Sequence, residues 1–230
     1  MMEWVTKCSN CNKIILGRYY KDWSDQKLCM SCYDHVNLCV SCGRFCVPVN
    51  SANNYPDPLC HDCISNRITP ERVPALIGSI KQLYSHIGLP IVTRCNLKLV
   101  DMNRIFSLSH NHTTRGVSES SGKDYNIYIY NCLSRVVFAE VAAHELLHIY
   151  QYENNINPPA EICEGFCNLG SYIVLNNINS PENTENVNAR INNLLTESDP
   201  IYGDGFRYML SIYENYGLQG VMNEINKYKR

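Results

Sequence analysis

The sequence has few charged residues for its length and no excess of positive charge. Of its 230 residues, 18% are charged, and the formal net charge at pH 7 is -2. This balance excludes a generally basic nucleic-acid binder, and a hydrophobic content of 45% excludes a disordered chain. No apolar run approaches the roughly 18 residues that a membrane helix needs. We therefore expect one or two folded domains with no nucleic-acid and no membrane partner.

The first residues also lack the apolar stretch of a secretion signal, which predicts a cytoplasmic location. Cysteine, by contrast, is abundant: there are 13, and nine of them lie within the first 63 residues. In a reducing compartment, clustered cysteines indicate metal ligands rather than disulfides, because zinc prefers thiolates. The cysteines outside Cys-x2-Cys pairs are predicted to be small buried apolar side chains: Cys46, Cys95, Cys132, Cys163 and Cys167.

Eight cysteines form two copies of the unit C-x2-C-x17-C-x2-C, which recurs with a period of 31 residues. This spacing lets two tight turns present four sulfurs to one tetrahedral zinc ion. The repeat predicts two tandem zinc ribbons, residues 1–36 and 37–69, each with one structural zinc. The predicted ligands are Cys8, Cys11, Cys29 and Cys32 in the first ribbon and Cys39, Cys42, Cys60 and Cys63 in the second.

A RING-like ligand order is an alternative for the same region. It uses His35 in place of Cys29 and lets alternate ligand pairs share each zinc ion, as in a ubiquitin-ligase module. This order leaves Cys29 without a role and ignores the repeat, so serial ribbons are favoured. Residues 1–70 hold seven Lys/Arg and six Asp/Glu, too few basic residues for a nucleic-acid surface. A packing or protein-docking role is expected for the ribbons.

From Pro70 onward, apolar periodicity predicts a separate domain of mixed helices and strands, residues 70–230. We expect strand 125–130 to pair with an extended substrate, as edge strands can. The predicted strands are 97–100 and 125–130, with a polar stretch between them. The predicted helices are 74–87, 136–152, 159–176, 189–195 and 206–228.

The helix predicted over 136–152 contains the motif His144-Glu145-Leu146-Leu147-His148. Positions i and i+4 share one helix face, so both imidazoles can reach one metal ion, and Glu145 can act as the general base. Glu164, on the next predicted helix, can fold back onto the two histidines as a third ligand. Two histidines and one glutamate, with water in the fourth position, form the ligand set of hydrolytic zinc sites.

Four further residues near these ligands have candidate roles. Asn168 follows Glu164 by one turn, where it can support a ligand from the second shell or be an ordinary polar residue. Glu161 precedes Glu164 by one turn and is expected to favour the helix N-terminus electrostatically. Tyr202 and Arg207 flank a Gly-rich turn that can aim them at an oxyanion, and both are catalytic candidates. The alternatives are that Tyr202 packs and that Arg207 forms an ion pair.

Beyond these motifs, the sequence resembles the LIM-containing, ubiquitin-activated zinc metallopeptidases first recognised as plant organ-size regulators. The resemblance covers residues 37–230 in the family's order, and the short form is similar to a prokaryotic relative. The shared motifs are Cys39-x2-Cys42 with Cys60-x2-Cys63, Thr114-Arg115-Gly116, Ala143-His144-Glu145-x2-His148, Glu164-Gly165-x-Cys167, Asp199-Pro200-x-Tyr202-Gly203-x-Gly205-Phe206-Arg207 and Tyr216-Gly217-Leu218.

The resemblance implies an α+β chain with two tandem LIM-like modules followed by a gluzincin-like zinc metallopeptidase domain. By position, His144, His148 and Glu164 would bind the catalytic zinc, and Glu145 would be catalytic. No ubiquitin-interacting helix precedes Cys8, which argues against carrying ubiquitin regulation over. The expected function is a zinc endopeptidase that acts on protein or peptide substrates, with one catalytic and two structural zinc ions. The alternative is a zinc-stabilised protein-interaction adaptor or a RING-like ubiquitin-ligase module without hydrolytic activity.

Overall fold

The computed structural model describes residues 5–47, 57–122 and 124–230, and the chain divides into two compact units. The first, here called the cysteine unit, contains the chain up to Arg67 together with Cys132–Arg135. The second, here called the C-terminal unit, contains Ile68–Asn131 and Val136–Arg230. The chain is of mixed α+β type and carries two groups of four cysteines.

The two halves of the cysteine unit repeat each other in backbone as well as in sequence. The Cys8 N–H donates to the carbonyl five residues ahead over 2.9 Å, and Cys39 does the same over 2.8 Å. Each turn also contains one residue with positive φ, Asn12 at 57° and Gly43 at 78°, and these residue types tolerate that conformation. Equivalent positions differ by the 31 residues of the sequence repeat.

Short regular elements follow each of these turns. In the first half, β1 and β2 form an antiparallel ribbon, and the helix α1 begins directly after Cys29. In the second half, the helix α2 begins directly after Cys60, 31 positions later. The bounds are β1 Tyr19–Lys21, β2 Lys27–Cys29, α1 Met30–Tyr33 and α2 His61–Ser65.

The C-terminal unit contains a three-stranded sheet with β5 at its centre. Its strands are β3 Cys95–Val100, β4 Gly116–Ser121 and β5 Asp124–Tyr130, in the order β3-β5-β4. β3 runs parallel to β5 and β4 runs antiparallel to it. The expectation that strand 125–130 is an edge strand is therefore wrong, because both of its sides are paired. The edge strands of this sheet are β3 and β4, and the polar Ser-rich sequence did not reveal β4.

The helices predicted in the C-terminal unit are all present, and one further helix lies in the polar stretch before β4. This helix, α4, is capped by Asp101, whose carboxylate accepts the backbone N–H of Arg104 over 2.8 Å. Among the described residues, no helix combines the length and apolar character needed to span a bilayer. The helix bounds are α3 Val73–His86, α4 Met102–Ser109, α5 Arg135–Glu153, α6 Ala160–Asn176, α7 Thr184–Thr196 and α8 Gly205–Asn226, and a π-helical turn, Pro200–Asp204, precedes α8.

α5 is the central helix of this unit and is buried on most of its circumference. α6 and α8 approach each other through glycines at their crossing. A Cβ on Gly165 would lie 2.3 Å from the Gly205 carbonyl oxygen, and a Cβ on Gly205 would lie 2.2 Å from the Glu161 carbonyl oxygen. The two backbones are therefore in direct contact, which any larger side chain would prevent. This contact holds the Pro200–Asp204 turn beside the middle of α6.

Candidate metal centre and cleft

The three predicted ligands of the catalytic metal converge in the C-terminal unit. α5 places His144 Nε2 and His148 Nε2 3.1 Å apart, one helical turn from each other. α6 brings Glu164 Oε2 to 3.0 Å from His144 Nε2 and 3.7 Å from His148 Nε2. All three side chains are largely buried, with exposed fractions of 16%, 14% and 19%.

Asn168 determines which nitrogen of His144 carries a proton. Its Nδ2 donates to the main-chain oxygen of Tyr202 over 3.1 Å, which orients the amide so that Oδ1 lies 2.9 Å from His144 Nδ1. Because an amide oxygen can only accept, Nδ1 must carry the hydrogen, and Nε2 presents its lone pair. That lone pair faces the Glu164 carboxylate. Two acceptors that face each other need a metal ion or a proton between them.

The facing atoms fit a zinc ion in type, number and spacing. Tetrahedral zinc holds nitrogen and oxygen ligands at about 2.0–2.2 Å, so such ligands lie about 3.4 Å from one another. The observed separations of 3.0–3.7 Å bracket that value. Glu164 Oε2 is also buried and has no hydrogen-bond partner among the described residues. A buried acceptor without a donor is costly unless a metal ion or a proton occupies its position.

Electrostatics at the centre favour a charged carboxylate. Burial raises the pKa of Glu164, but the imidazoles of His144 and His148 outweigh burial and hold the pKa below its ordinary value. Burial lowers the pKa of His148, yet Cys163, Glu164 and the charge of Glu145 together raise it well above its ordinary value. The Glu164 carboxylate and the imidazole of His148 thus stabilise each other's charged forms, and the carboxylates beside His148 favour a cation at this position.

Glu145, the predicted general base, is 6% exposed and lines the same cleft as the two histidines. Its position depends on Gly116, the first residue of β4. A Cβ on Gly116 would lie 2.7 Å from Glu145 Oε1 and 2.5 Å from Val141 Cγ1. A side chain at position 116 would therefore displace the Glu145 carboxylate, which explains why a glycine is needed there.

A cleft of about 830 Å³ opens over these residues. Its walls come from α5, from α6, from the Pro200–Asp204 turn and from the start of the edge strand β4, which contributes Gly116, Val117 and Ser118. Clefts of this size are typical of sites that bury a substrate or ligand. In the described part of the chain, the outer edge of β4 pairs with no other strand, so its backbone N–H and C=O groups add to one wall and the cleft can hold an extended chain.

Tyr202 and Arg207, both candidates for stabilising an oxyanion, have different environments. Tyr202 lines the cleft, where burial and the negative charges of Glu164 and Glu145 raise its pKa to about 12. The phenol therefore stays protonated and can donate a hydrogen bond. Arg207 is not among the cleft residues: its guanidinium donates to the carbonyl of Glu197 over 2.7 Å and to Asp204 Oδ1 over 2.5 Å. The structure thus favours the ion-pair alternative for Arg207.

The contacts of the other ring nitrogen of His148 were not predicted from the sequence. Gln151 Oε1 lies 3.2 Å from His148 Nδ1, and Gln151 is only 2% exposed. Cys163 Sγ and Cys167 Sγ lie 3.7 and 3.4 Å from the same nitrogen. Hydrogen bonds with Cys167 and His148 lower the pKa of Cys163 to about 5. The available signal was a glutamine three residues after His148, on a helix that is buried on most of its circumference.

In the cysteine unit, the predicted ligands form two separate groups. Within each group the sulfurs lie within 4.8 Å of one another, and the members are Cys8, Cys11, Cys29 and Cys32 in one and Cys39, Cys42, Cys60 and Cys63 in the other. The Cys11–Cys29 and Cys42–Cys60 sulfur distances are 4.0 and 3.7 Å. Tetrahedral zinc thiolates have sulfurs about 3.8 Å apart, so each group can hold a structural zinc ion. His35 is exposed and belongs to neither group, which favours the serial ribbons over the RING-like order.

A scan against protein-family models found no match, and searches of curated proteins and of solved structures found no similar protein. The resemblance to the LIM-containing metallopeptidases therefore stays a prediction.

Proposed function

We propose that this chain is a zinc-dependent endopeptidase, related to the LIM-containing metallopeptidases that its motifs resemble. In this proposal His144, His148 and Glu164 hold the zinc ion, and Glu145 is the general base. The observation that carries the proposal is the convergence of two Nε2 atoms and one carboxylate oxygen, all within 3.7 Å of one another, in a cleft that also contains Glu145.

A zinc ion at this position supplies a Lewis acid that polarises the scissile carbonyl and makes a water molecule acidic near neutral pH. Glu145 accepts a proton from the attacking water and later delivers it to the leaving amine. The new C–O bond thus forms and the C–N bond breaks, while Glu145 returns to its charged form. Asn168 keeps His144 in the tautomer that this arrangement needs.

Two other features of the cleft fit peptide substrates. The protonated phenol of Tyr202 can donate a hydrogen bond to the oxyanion of the tetrahedral intermediate, a contribution of several kcal/mol in other enzymes. The free edge of β4 can pair with an extended substrate backbone, which gives affinity without requiring a particular side chain. We therefore expect an endopeptidase that accepts many different substrate sequences.

A zinc-stabilised protein-interaction adaptor is the second candidate, and the two four-cysteine groups favour it because structural zinc ions often serve docking modules. In an adaptor, a metal at His144 would be structural, and structural zinc sites are closed by four protein ligands. Two histidines and one glutamate leave one position open. The open position and the neighbouring Glu145 favour the enzyme.

Cleavage of a mixed protein substrate, with labelling of new N-termini, tests the proposal. The zinc-loaded wild type should generate new termini, and Glu145→Gln should generate none above background, because the amide is nearly isosteric but accepts no proton. Glu161→Gln is the matched control: Glu161 is exposed on α6 and should be dispensable. Wild-type activity within about tenfold in Glu145→Gln would exclude Glu145 as the base. Inactivity of all three proteins, with zinc bound, would favour the adaptor.

A further inference from the structure

We propose that Cys163, Cys167, Gln151 and the Nδ1 atom of His148 form a second metal site, which takes a soft ion such as zinc, cuprous copper or cadmium. This site lies on the side of the His148 ring opposite to the proposed catalytic zinc. α5 provides the imidazole and the amide, and α6 provides the two thiols, four residues apart on one helix face.

The spacing of the four donor atoms is that of ligands around one ion. His148 Nδ1 lies 3.2 Å from Gln151 Oε1, 3.7 Å from Cys163 Sγ and 3.4 Å from Cys167 Sγ. Gln151 Oε1 lies 3.4 Å from Cys163 Sγ and 3.7 Å from Cys167 Sγ. In a tetrahedral zinc site, nitrogen, oxygen and sulfur ligands lie about 3.3–3.6 Å from one another. Five donor separations thus agree with a single centre.

The burial of the amide is a second observation that points to a ligand. Gln151 is 2% exposed, its oxygen is directed at the two sulfurs, and its Nε2 has no partner among the described residues. Buried polar side chains are retained where their polar atoms have partners, and an ion between the two sulfurs and His148 Nδ1 would bind the amide oxygen. Two thiolates would neutralise a divalent ion, and thiolates select soft metals. Cys163 is only partly buried, so the proposed site is not fully enclosed.

The two metal sites compete for His148. A neutral imidazole has one lone pair, so His148 can serve the catalytic zinc through Nε2 or the thiol site through Nδ1, but not both. A soft ion in the thiol site would therefore remove one ligand from the catalytic zinc and inhibit hydrolysis. This competition depends on the proposed function, whereas the existence of the thiol site does not.

Titration of the full-length, zinc-loaded protein with Cd²⁺ tests the site through the ultraviolet charge-transfer absorption of cadmium thiolates. The wild type and Cys95→Ala, a control cysteine outside every metal group, should show an absorption increment that the Cys163→Ala/Cys167→Ala double variant lacks. Exchange at the four-cysteine groups contributes equally to all three proteins. An identical increment in wild type and double variant would overturn the site.

Because Cys167 is fully buried, the single Cys163→Ala variant keeps the test valid if the double variant fails to fold. It loses a direct ligand, so Cd²⁺ affinity should fall by more than the roughly 10–100-fold caused by loss of an outer-shell partner. Unchanged affinity would overturn the site. Peptide hydrolysis, measured in parallel, should be inhibited by Cd²⁺ more strongly in Cys95→Ala than in Cys163→Ala. Equal inhibition, with the absorption difference present, would overturn only the competition.

Discussion

Replacement of Asn168 by alanine should weaken the catalytic zinc without removing any of its ligands. The side chain is 9% exposed, and the change deletes the 2.9 Å contact with His144 Nδ1 and the 3.1 Å bond to the Tyr202 carbonyl. Loss of an outer-shell partner typically costs 10–100-fold in metal affinity. We therefore expect zinc affinity at this site to fall by about 1.4–2.7 kcal/mol.

Competition with a chromogenic zinc chelator measures this affinity, and we expect the four-cysteine groups, with four protein ligands each, to release zinc more slowly and in a separate phase. Two variants serve as controls. Asn176→Ala removes an exposed asparagine from the end of α6 and should leave zinc affinity unchanged. Asn168→Asp keeps an acceptor for His144 but loses the donor to Tyr202, so it should retain zinc and lose catalytic rate. Wild-type zinc affinity in Asn168→Ala would refute the role of this residue.

Three further predictions concern the ribbons and the cleft. Cys29→Ser should release one structural zinc and loosen the first ribbon, whereas His35→Ala should be silent by zinc stoichiometry and hydrogen exchange; the reverse pattern would restore the RING-like order. Gly116→Ala should lower kcat about tenfold or more at unchanged zinc content, because the added Cβ displaces Glu145, and an unaltered kcat would contradict the close approach. Tyr202→Phe should lower kcat by about 10²–10³-fold with little change in KM, and a change confined to KM would exclude an oxyanion role.

The fold could be predicted where long apolar segments are free of helix-breaking residues. α5 and α6 lie close to their predicted ranges because each is a long, largely apolar segment without an internal proline, and α6 begins directly after Pro158-Pro159. β4 could not be predicted, because Gly116–Ser121 is a short polar edge strand with little alternation, and its pairing with β5 is a tertiary contact. The central position of β5 likewise depends on this undetected strand.

Of the candidate site, too, only some residues could be predicted from the sequence. His144 and His148 are linked by local helix geometry, and a short connection to α6 is enough to bring in Glu164. Gln151 and Cys167 meet only because the register between α5 and α6 is set by side-chain packing, which includes Gly170 against Leu147. Single-sequence patterns do not contain that register. Arg207 is an opposite case. Its motif predicted a position in the cleft, but its guanidinium donates to the carbonyl oxygens of Leu195 and Glu197 instead.

The most direct test of the central claim is an anomalous difference map at the zinc edge from crystals of the wild-type protein. If the hydrolytic zinc site is correctly assigned, a peak lies in the C-terminal unit about 2.0–2.2 Å from three atoms and has no fourth protein ligand. These atoms are His144 Nε2, His148 Nε2 and Glu164 Oε2. Absence of a zinc peak there, or a zinc ion closed by a fourth side chain, would contradict the assignment of a hydrolytic site.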